Sequence, residues 1–338
     1  MDFIEKMKER AKKSIKTIVL PETEDIRIPQ ATEIILKEKF AKIILIGDEN
    51  KIREVAKNNN INLYDAKIIN NEEKNGDNEL IEKYTNDLYE LRKNKGMTKE
   101  MAKELLTTNS RYFATMMVKD NDADGFVSGA AHKTSDTLKP PLQIIKGKEG
   151  INTVSAFFIM EVPNKEFGDN GVYIFADCGM NREPNEEQLA DIAITSCQSF
   201  KDLVDDKEEP KVAMLSYSTH GSGSSPSSEK VRKATEIVKE RNKDILIDGE
   251  IQLDAAIIED VAKIKAPGSK VAGKANILIF PDLNSGNIGY KLTQRFGNAK
   301  AYGPLCQGMA KPVNDLSRGC SKEDIAGVVA ITCVQASL

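Results

Sequence analysis

The sequence predicts an α/β protein of two domains, and three observations carry that reading: length, a repeated alternation of short apolar runs with longer amphipathic stretches, and one interruption of that alternation near the middle. At 338 residues the chain exceeds what a single ordinary core holds, so two domains are the natural expectation. Alternating strands and helices imply parallel pairing through right-handed crossovers, hence layered α/β architecture.

In the first half, Thr17–Leu20, Lys42–Ile46, Ala66–Ile69 and Gly125–Val127 are the apolar runs that read as strands. Residues 27–38, 49–59, 79–93, 98–119 and 135–147 read as helices between and after them. Upstream, Phe3, Ile4, Met7 and Ala11 suit one face of a surface helix. After about residue 150 the pattern changes. Thr153–Met160 and Val172–Asp177 flank a polar, glycine-containing loop, Pro163–Gly171, which predicts an antiparallel hairpin. Alternation then resumes with strands near Lys211–Leu215, Ile245–Asp248 and Asn276–Phe280, and helices near 186–204, 227–241 and 285–296. A closing helix at 322–336 carries Ile325, Val328, Val329, Ile331, Thr332 and Val334.

Composition narrows the function classes. A net charge of -4 argues against a general nucleic-acid or membrane partner. Met1–Lys16 lacks the apolar core of a signal peptide, and no apolar run nears the roughly 18 residues that span a bilayer. The five cysteines (Cys178, Cys197, Cys306, Cys320 and Cys333) are odd in number, far apart and without a CxxC pair, which fits reduced thiols rather than a disulfide framework. A cytoplasmic protein is expected.

Most motif-like segments point away from chemistry. Gly268–Ala275 nearly fits GxxxxGK[ST], but Ala275 offers no hydroxyl for magnesium, and the segment precedes a strand instead of following one. It reads as a plain loop. His132 and His220 are the only histidines and lack zinc-ligand spacing, so no metal site is expected. His220 lies among serines without a GxSxG elbow and reads as a local hydrogen-bonding residue. The Ser216–Ser228 stretch leaves two readings open: an anion-binding turn, or a turn ending in an N-cap at Ser225 or Ser227.

The richest segment is Lys311–Asp324, which puts a hydroxyl, a guanidinium and a carboxylate into a loop running onto a helix N-terminus. Arg318 offers a fixed fork of donors for a phosphate or a developing oxyanion, and Gly319 permits close backbone approach. Asp324 is available as a base. The same residues make a capping box, Ser321-Lys-Glu-Asp324, and on spacing alone the cap is the commoner use. A carboxylate in the first helical turn is also weakened as a base by the helix dipole. Cys320, with no neighbouring histidine, reads as a packing residue.

Asp282–Lys291, Gln294-Arg295, Gly303-Pro304, Gln307-Gly308 and Lys311–Cys320 together closely resemble the phosphate acetyltransferase (phosphotransacetylase) family. Further matches are Asp248–Ala256, Val271–Gly273, Ala176–Gly179, Leu138–Lys146 and Leu91–Thr98. The resemblance is collinear from about Val19 to the C-terminus. It implies two α/β domains with a cleft between them, similar to isocitrate and isopropylmalate dehydrogenases. The implied division is 1–147 plus 303–338, with 148–302 as the second domain and the dimer interface of a homodimer. The implied reaction is reversible acetyl transfer between acetyl-CoA and phosphate, giving acetyl phosphate and CoA, with coenzyme A as substrate and no cofactor. Carried over by motif, Asp324 corresponds to the base that deprotonates the thiol, Ser317 and Arg318 to groups that stabilise the transition state and orient acetyl phosphate, and Arg92 and Arg295 to arginines that bind phosphate-bearing ligands. One departure stands out. Lys139 occupies a position where the family typically has arginine, which keeps the charge and loses the bidentate fork. Pro141 and Gly147–Gly150 also differ somewhat from the family's usual sequence. The rival readings are a phosphate butyryltransferase, a non-catalytic regulatory domain like that fused to some malic enzymes, and the fold-related dehydrogenases, the last lacking a nicotinamide fingerprint here.

Overall fold

The structure, a computed structural model, describes residues 2–204 and 207–338. In chain order the first segment holds α1 (Phe3–Lys12), β1 (Lys16–Leu20), α2 (Arg27–Glu38), β2 (Ala41–Ile46), α3 (Glu49–Asn58), β3 (Lys67–Ile69), α4 (Asn78–Arg92), α5 (Lys99–Thr108), α6 (Ser110–Lys119), β4 (Gly125–Ser128) and α7 (Thr134–Ile144). A second stretch follows with β5 (Ser155–Glu161), β6 (Val172–Ala176), α8 (Glu186–Leu203), β7 (Lys211–Leu215), α9 (Pro226–Arg241), β8 (Leu246–Ile251), α10 (Leu253–Ile257), α11 (Glu259–Lys265), β9 (Ile277–Ile279), α12 (Leu283–Arg295) and β10 (Lys300–Gln307). β11 (Val313–Asp315) and α13 (Lys322–Gln335) close the chain.

Two compact units result, Met1–Lys148 with Met309–Leu338, and Glu149–Gly308. The second unit runs to Gly308, rather than ending at 302, because β10 pairs with β5 from Lys300 to Gln307.

In the first unit every strand pair is parallel, in the order β3-β2-β1-β4-β11. Val19 and Leu20 of β1, and Phe126 and Val127 of β4, are fully buried, as strands covered on both faces must be. α13 is apolar on all sides, with Ile325 to Val334 buried without a break, and it packs on α1, α2 and the sheet. α1 buries Phe3, Met7 and Ala11, while half-buried Ile4 lies against Gly327 of α13.

The second unit orders its strands β10-β5-β6-β9-β7-β8. β5 and β6 form the expected antiparallel hairpin, and the remaining pairs from β6 through β9 and β7 to β8 are parallel. Its core gathers Phe158, Tyr173, Phe175, Phe280 and Tyr290, with Phe158 stacked on Tyr290 at 4.0 Å between centroids.

Three expectations are corrected. The helix expected over 98–119 is two, broken at Asn109, whose side chain accepts from the Arg111 N–H and caps α6. β10 was not anticipated because Gly303-Pro304 interrupts it; the register against β5 shifts between Tyr302 and Leu305. The tract 311–321, expected as loop throughout, contains the three-residue strand β11.

Candidate active site

The strand order of the first unit fixes where a site belongs. The chain adds β2 and β3 on one side of β1 and then β4 and β11 on the other, so the order reverses between β1 and β4. In open parallel sheets ligands bind beyond the carboxyl ends of the strands at such a reversal. Three loops leave those ends here: Pro21–Ile26 after β1, Gly129–Lys133 after β4, and Leu316–Ser321 after β11.

A single guanidinium ties these loops together. Arg27, in the first turn of α2, pairs with Asp25 at 2.6 Å. It also donates to the carbonyl oxygens of Ala130 at 2.8 Å, Arg318 at 2.9 Å and Cys320 at 2.7 Å. Hydrogen bonding to Arg27 holds the Asp25 carboxyl below its ordinary range. Glu22, fully buried, makes a second tie. Its Oε2 accepts the N–H groups of Gly129 and Ala130 at 2.7 and 2.8 Å, and its Oε1 lies 2.6 Å from His132 Nδ1. At Gly129 (φ +113°) a Cβ would come within 2.1 Å of Asp315 Oδ1, so only glycine permits this approach of the β4 and β11 ends.

Ser317, Arg318 and Gly319 form an exposed turn, closed by the Cys320 N–H donating to the Ser317 carbonyl at 2.9 Å. The Arg318 guanidinium has no partner among the described residues; its own carbonyl is what Arg27 holds. An unpaired fork of donors, on a backbone fixed from behind, is the condition for gripping an anion.

At Ser321 the capping box is formed. Asp324 N–H donates to Ser321 Oγ at 3.0 Å, and Ser321 N–H donates to Asp324 Oδ2 at 2.8 Å. Asp324 Oδ1 has no hydrogen-bond partner among the described residues, so one carboxylate oxygen caps and the other faces no competitor.

Lys139 sits on α7, exposed, immediately before Pro140 and Pro141, and makes no hydrogen bond or ion pair among the described residues. Arg92, at the end of α4, is half-buried and donates to the Gln143 carbonyl at 3.2 Å, with its Nε buried and unpartnered. It is thus fastened to the far end of the helix that carries Lys139. These five residues and the Arg27 clamp belong to the first unit. Arg295 ends α12 in the second unit and is exposed.

Beneath the loops, Asp315 is buried, with Thr134 Oγ1 donating to its Oδ2 at 2.5 Å. Its Oδ1 is unpartnered, as are the buried hydroxyls of Ser128 and Thr137. Burial pushes the Asp315 carboxyl up to about 7.

No thiol is poised to react. All five cysteines are buried; burial pushes Cys320 up to about 11 and Cys197 and Cys333 up to about 12, and raises Cys178 well above its ordinary value.

The two readings of Ser216–Ser228 also separate. Its N–H groups are consumed internally: Gly221 donates to Glu250 at 2.7 Å, Gly223 to Ser218 Oγ at 2.9 Å, and Ser225 to Ser228 Oγ at 3.0 Å, where Ser225 caps α9. The segment is a capped turn. Gly268–Ala275 is loop, with the Ser269 hydroxyl donating to Asp248, which also holds His220 Nε2 at 3.0 Å.

A reversal in strand order, with an unpaired guanidinium in the loop after β11 and a half-free carboxylate in the first turn of α13, suits an α/β enzyme that takes an anionic substrate. The family described as phosphate acetyl/butaryl transferase matches residues 2–333. The chain is 54% identical over 336 residues to a phosphate acetyltransferase of Acetivibrio thermocellus, covering 99% of this chain and 98% of that one. It superimposes on a solved phosphotransacetylase from Streptococcus pyogenes with a TM-score of 0.89 at 42% identity, covering 99% of this chain and 98% of that one. At 10% identity and a TM-score of 0.54 the likeness extends to a Salmonella typhimurium structure whose description names a dehydrogenase, covering 95% of this chain and 99% of that one; there it concerns fold alone. The chain belongs to the phosphate acetyl/butaryl transferase family and is an acyltransferase.

Glu22, Arg27 and Asp315 are site-forming residues that the sequence reading did not single out. A signal existed for the first two: Glu22-Thr-Glu-Asp-Ile-Arg27 is a charged run directly beyond an apolar strand, where a solvated loop and a buried clamp look alike.

Proposed function

We propose that the protein catalyses reversible acetyl transfer between acetyl-CoA and phosphate, by direct attack of a thiolate on acetyl phosphate within a ternary complex. The observation that carries this reading is the unpaired Arg318 fork, presented beside Ser317 three residues before the Ser321 cap. In the direction of thioester synthesis, Asp324 takes the proton from the CoA sulfur through its free Oδ1. A free thiol has a pKa near 8.5, so only a few per cent is thiolate at neutral pH, and a positioned base contributes roughly 10²–10⁴ in rate. Ser317 and Arg318 donate to the carbonyl oxygen and phosphate oxygens as negative charge develops, which contributes about 10²–10³. Lys139, Arg92 and Arg295 hold the phosphate-bearing ends of the substrates. The buried, high-pKa cysteines favour direct transfer over an acyl-enzyme. Coenzyme A is a substrate, and a homodimer is the assembly proposed.

The test is to mix purified protein with acetyl phosphate and CoA and follow thioester absorbance. Rapid thioester formation is expected, faster than with butyryl phosphate. A folded protein that forms no thioester contradicts the proposal, and a preference for butyryl phosphate reassigns the acyl group.

A further inference from the structure

The reaction moves a proton as well as an acetyl group. When CoA–SH and acetyl phosphate become acetyl-CoA and hydrogen phosphate, the sulfur–carbonyl bond forms and the carbonyl–oxygen bond to phosphate breaks. Sulfur loses a proton, and the departing phosphate oxygen gains one. Asp324 answers for the first transfer only.

His132 has the geometry for the second. Glu22 Oε2 already accepts two backbone N–H groups, which together with Arg27 on the Ala130 carbonyl hold the Gly129–Ala130 loop without the histidine. The third contact, Oε1 to His132 Nδ1 at 2.6 Å, requires Nδ1 to carry hydrogen, because a carboxylate only accepts. That fixes the tautomer and leaves Nε2 as the working nitrogen. Nε2 has no partner among the described residues, and the side chain is 33% exposed. A fully buried carboxylate orienting an imidazole whose far nitrogen is open is a general acid–base pair. Its loop is tied to the one proposed to hold phosphate: Arg27 grips Ala130, two residues from His132, with the same guanidinium that grips the Arg318 carbonyl.

We propose that His132, oriented by Glu22, exchanges a proton with the phosphate oxygen while Asp324 exchanges the one on sulfur. The inference rests on the acyl transfer proposed above. In thioester synthesis the imidazolium gives its Nε2 proton to the leaving phosphate; in acetyl phosphate synthesis the neutral ring takes the proton from the attacking phosphate. The charges facing the ring are Glu22 at 2.6 Å and Glu24 at 3.9 Å from Nδ1; Lys133 is next in sequence, and the Arg27 guanidinium lies on the Ala130 carbonyl two residues away.

Each direction leaves the ring in the state that the other requires, with Asp324 in the complementary one, so loss of the ring should cost both directions alike. His132→Asn keeps an amide N–H near the Nδ1 position for Glu22 and removes the proton-carrying ring. It should lower kcat at least about tenfold in both directions and leave KM for CoA and acetyl phosphate within about threefold, a split that a purely structural histidine would not give. His132→Gln serves as the second variant and should behave alike. Wild-type kcat in either folded variant overturns the proposal, as does a loss carried by KM with kcat unchanged. A wild-type protein that makes no thioester defeats the acyl-transfer reading itself, a result distinct from any of these.

Discussion

At the first turn of α13 the Asp324 carboxylate divides its work between two oxygens, Oδ2 on the Ser321 N–H and Oδ1 unpartnered. Asparagine retains an oxygen for that N–H but cannot take a proton. Asp324→Asn should therefore keep the fold, leave CoA binding largely intact and lower kcat at least about tenfold, read from steady-state kinetics alongside a thermal melt. Normal turnover in the folded variant returns Asp324 to capping alone. Asp315 makes a prediction about stability. Its folded pKa, raised by burial to about 7, lies above the ordinary aspartate value near 3.9. A raised carboxyl favours the folded state below the unfolded pKa and loses that contribution as pH rises through the folded one. Wild-type stability should thus fall between about pH 4 and 7 through this group, and Asp315→Asn should flatten that fall, measured as Tm across the range. An unchanged slope in the variant removes Asp315 as its source. The sequence showed the Ser317–Arg318–Asp324 set because its members lie within eight positions of one another. It did not show Glu22, Arg27 or Asp315, whose partners on the other loops lie 103 to 293 residues away along the chain.

The elements matter through the backbone groups they leave open. α7 contains Pro140 and Pro141, each without an N–H to donate, and it begins at Lys133 with no side-chain cap. Its start is fixed instead by the Thr134 hydroxyl on Asp315, and its end by Arg92 on the Gln143 carbonyl. Lys139 is carried on a helix held at both ends, so substitution there changes the head group with little change of position. Lys139→Arg restores a bidentate fork and should lower the apparent KM for CoA or acetyl phosphate at similar kcat. An unchanged KM for both substrates removes the fork from the account. Helices with clear 3.6-residue periodicity, such as α2 and α9, could be read from sequence. The break at Asn109 could not, since one residue that ends α5 and caps α6 leaves the apolar period almost undisturbed. β11 escaped for the opposite reason: three residues are too few to show a period of two.

Across the whole molecule, the alternation of strands and helices foretold the parallel sheets, and the hairpin of β5 and β6 marked where the second unit begins. The unit boundary after Gly308 was not legible, because it follows from the pairing of β10 along β5. The proposed function is also one statement: the acetyl group passes straight from phosphate to sulfur, with no enzyme side chain carrying it between. Five buried thiols, three of them raised to about 11 or 12, agree with that course. The most direct measurement is exchange of labelled inorganic phosphate into acetyl phosphate by the purified protein, with and without CoA. The account predicts exchange only when CoA is present, because the bond to phosphate breaks only under attack by the thiol. Rapid exchange in the complete absence of CoA would require an acetylated enzyme and would contradict it.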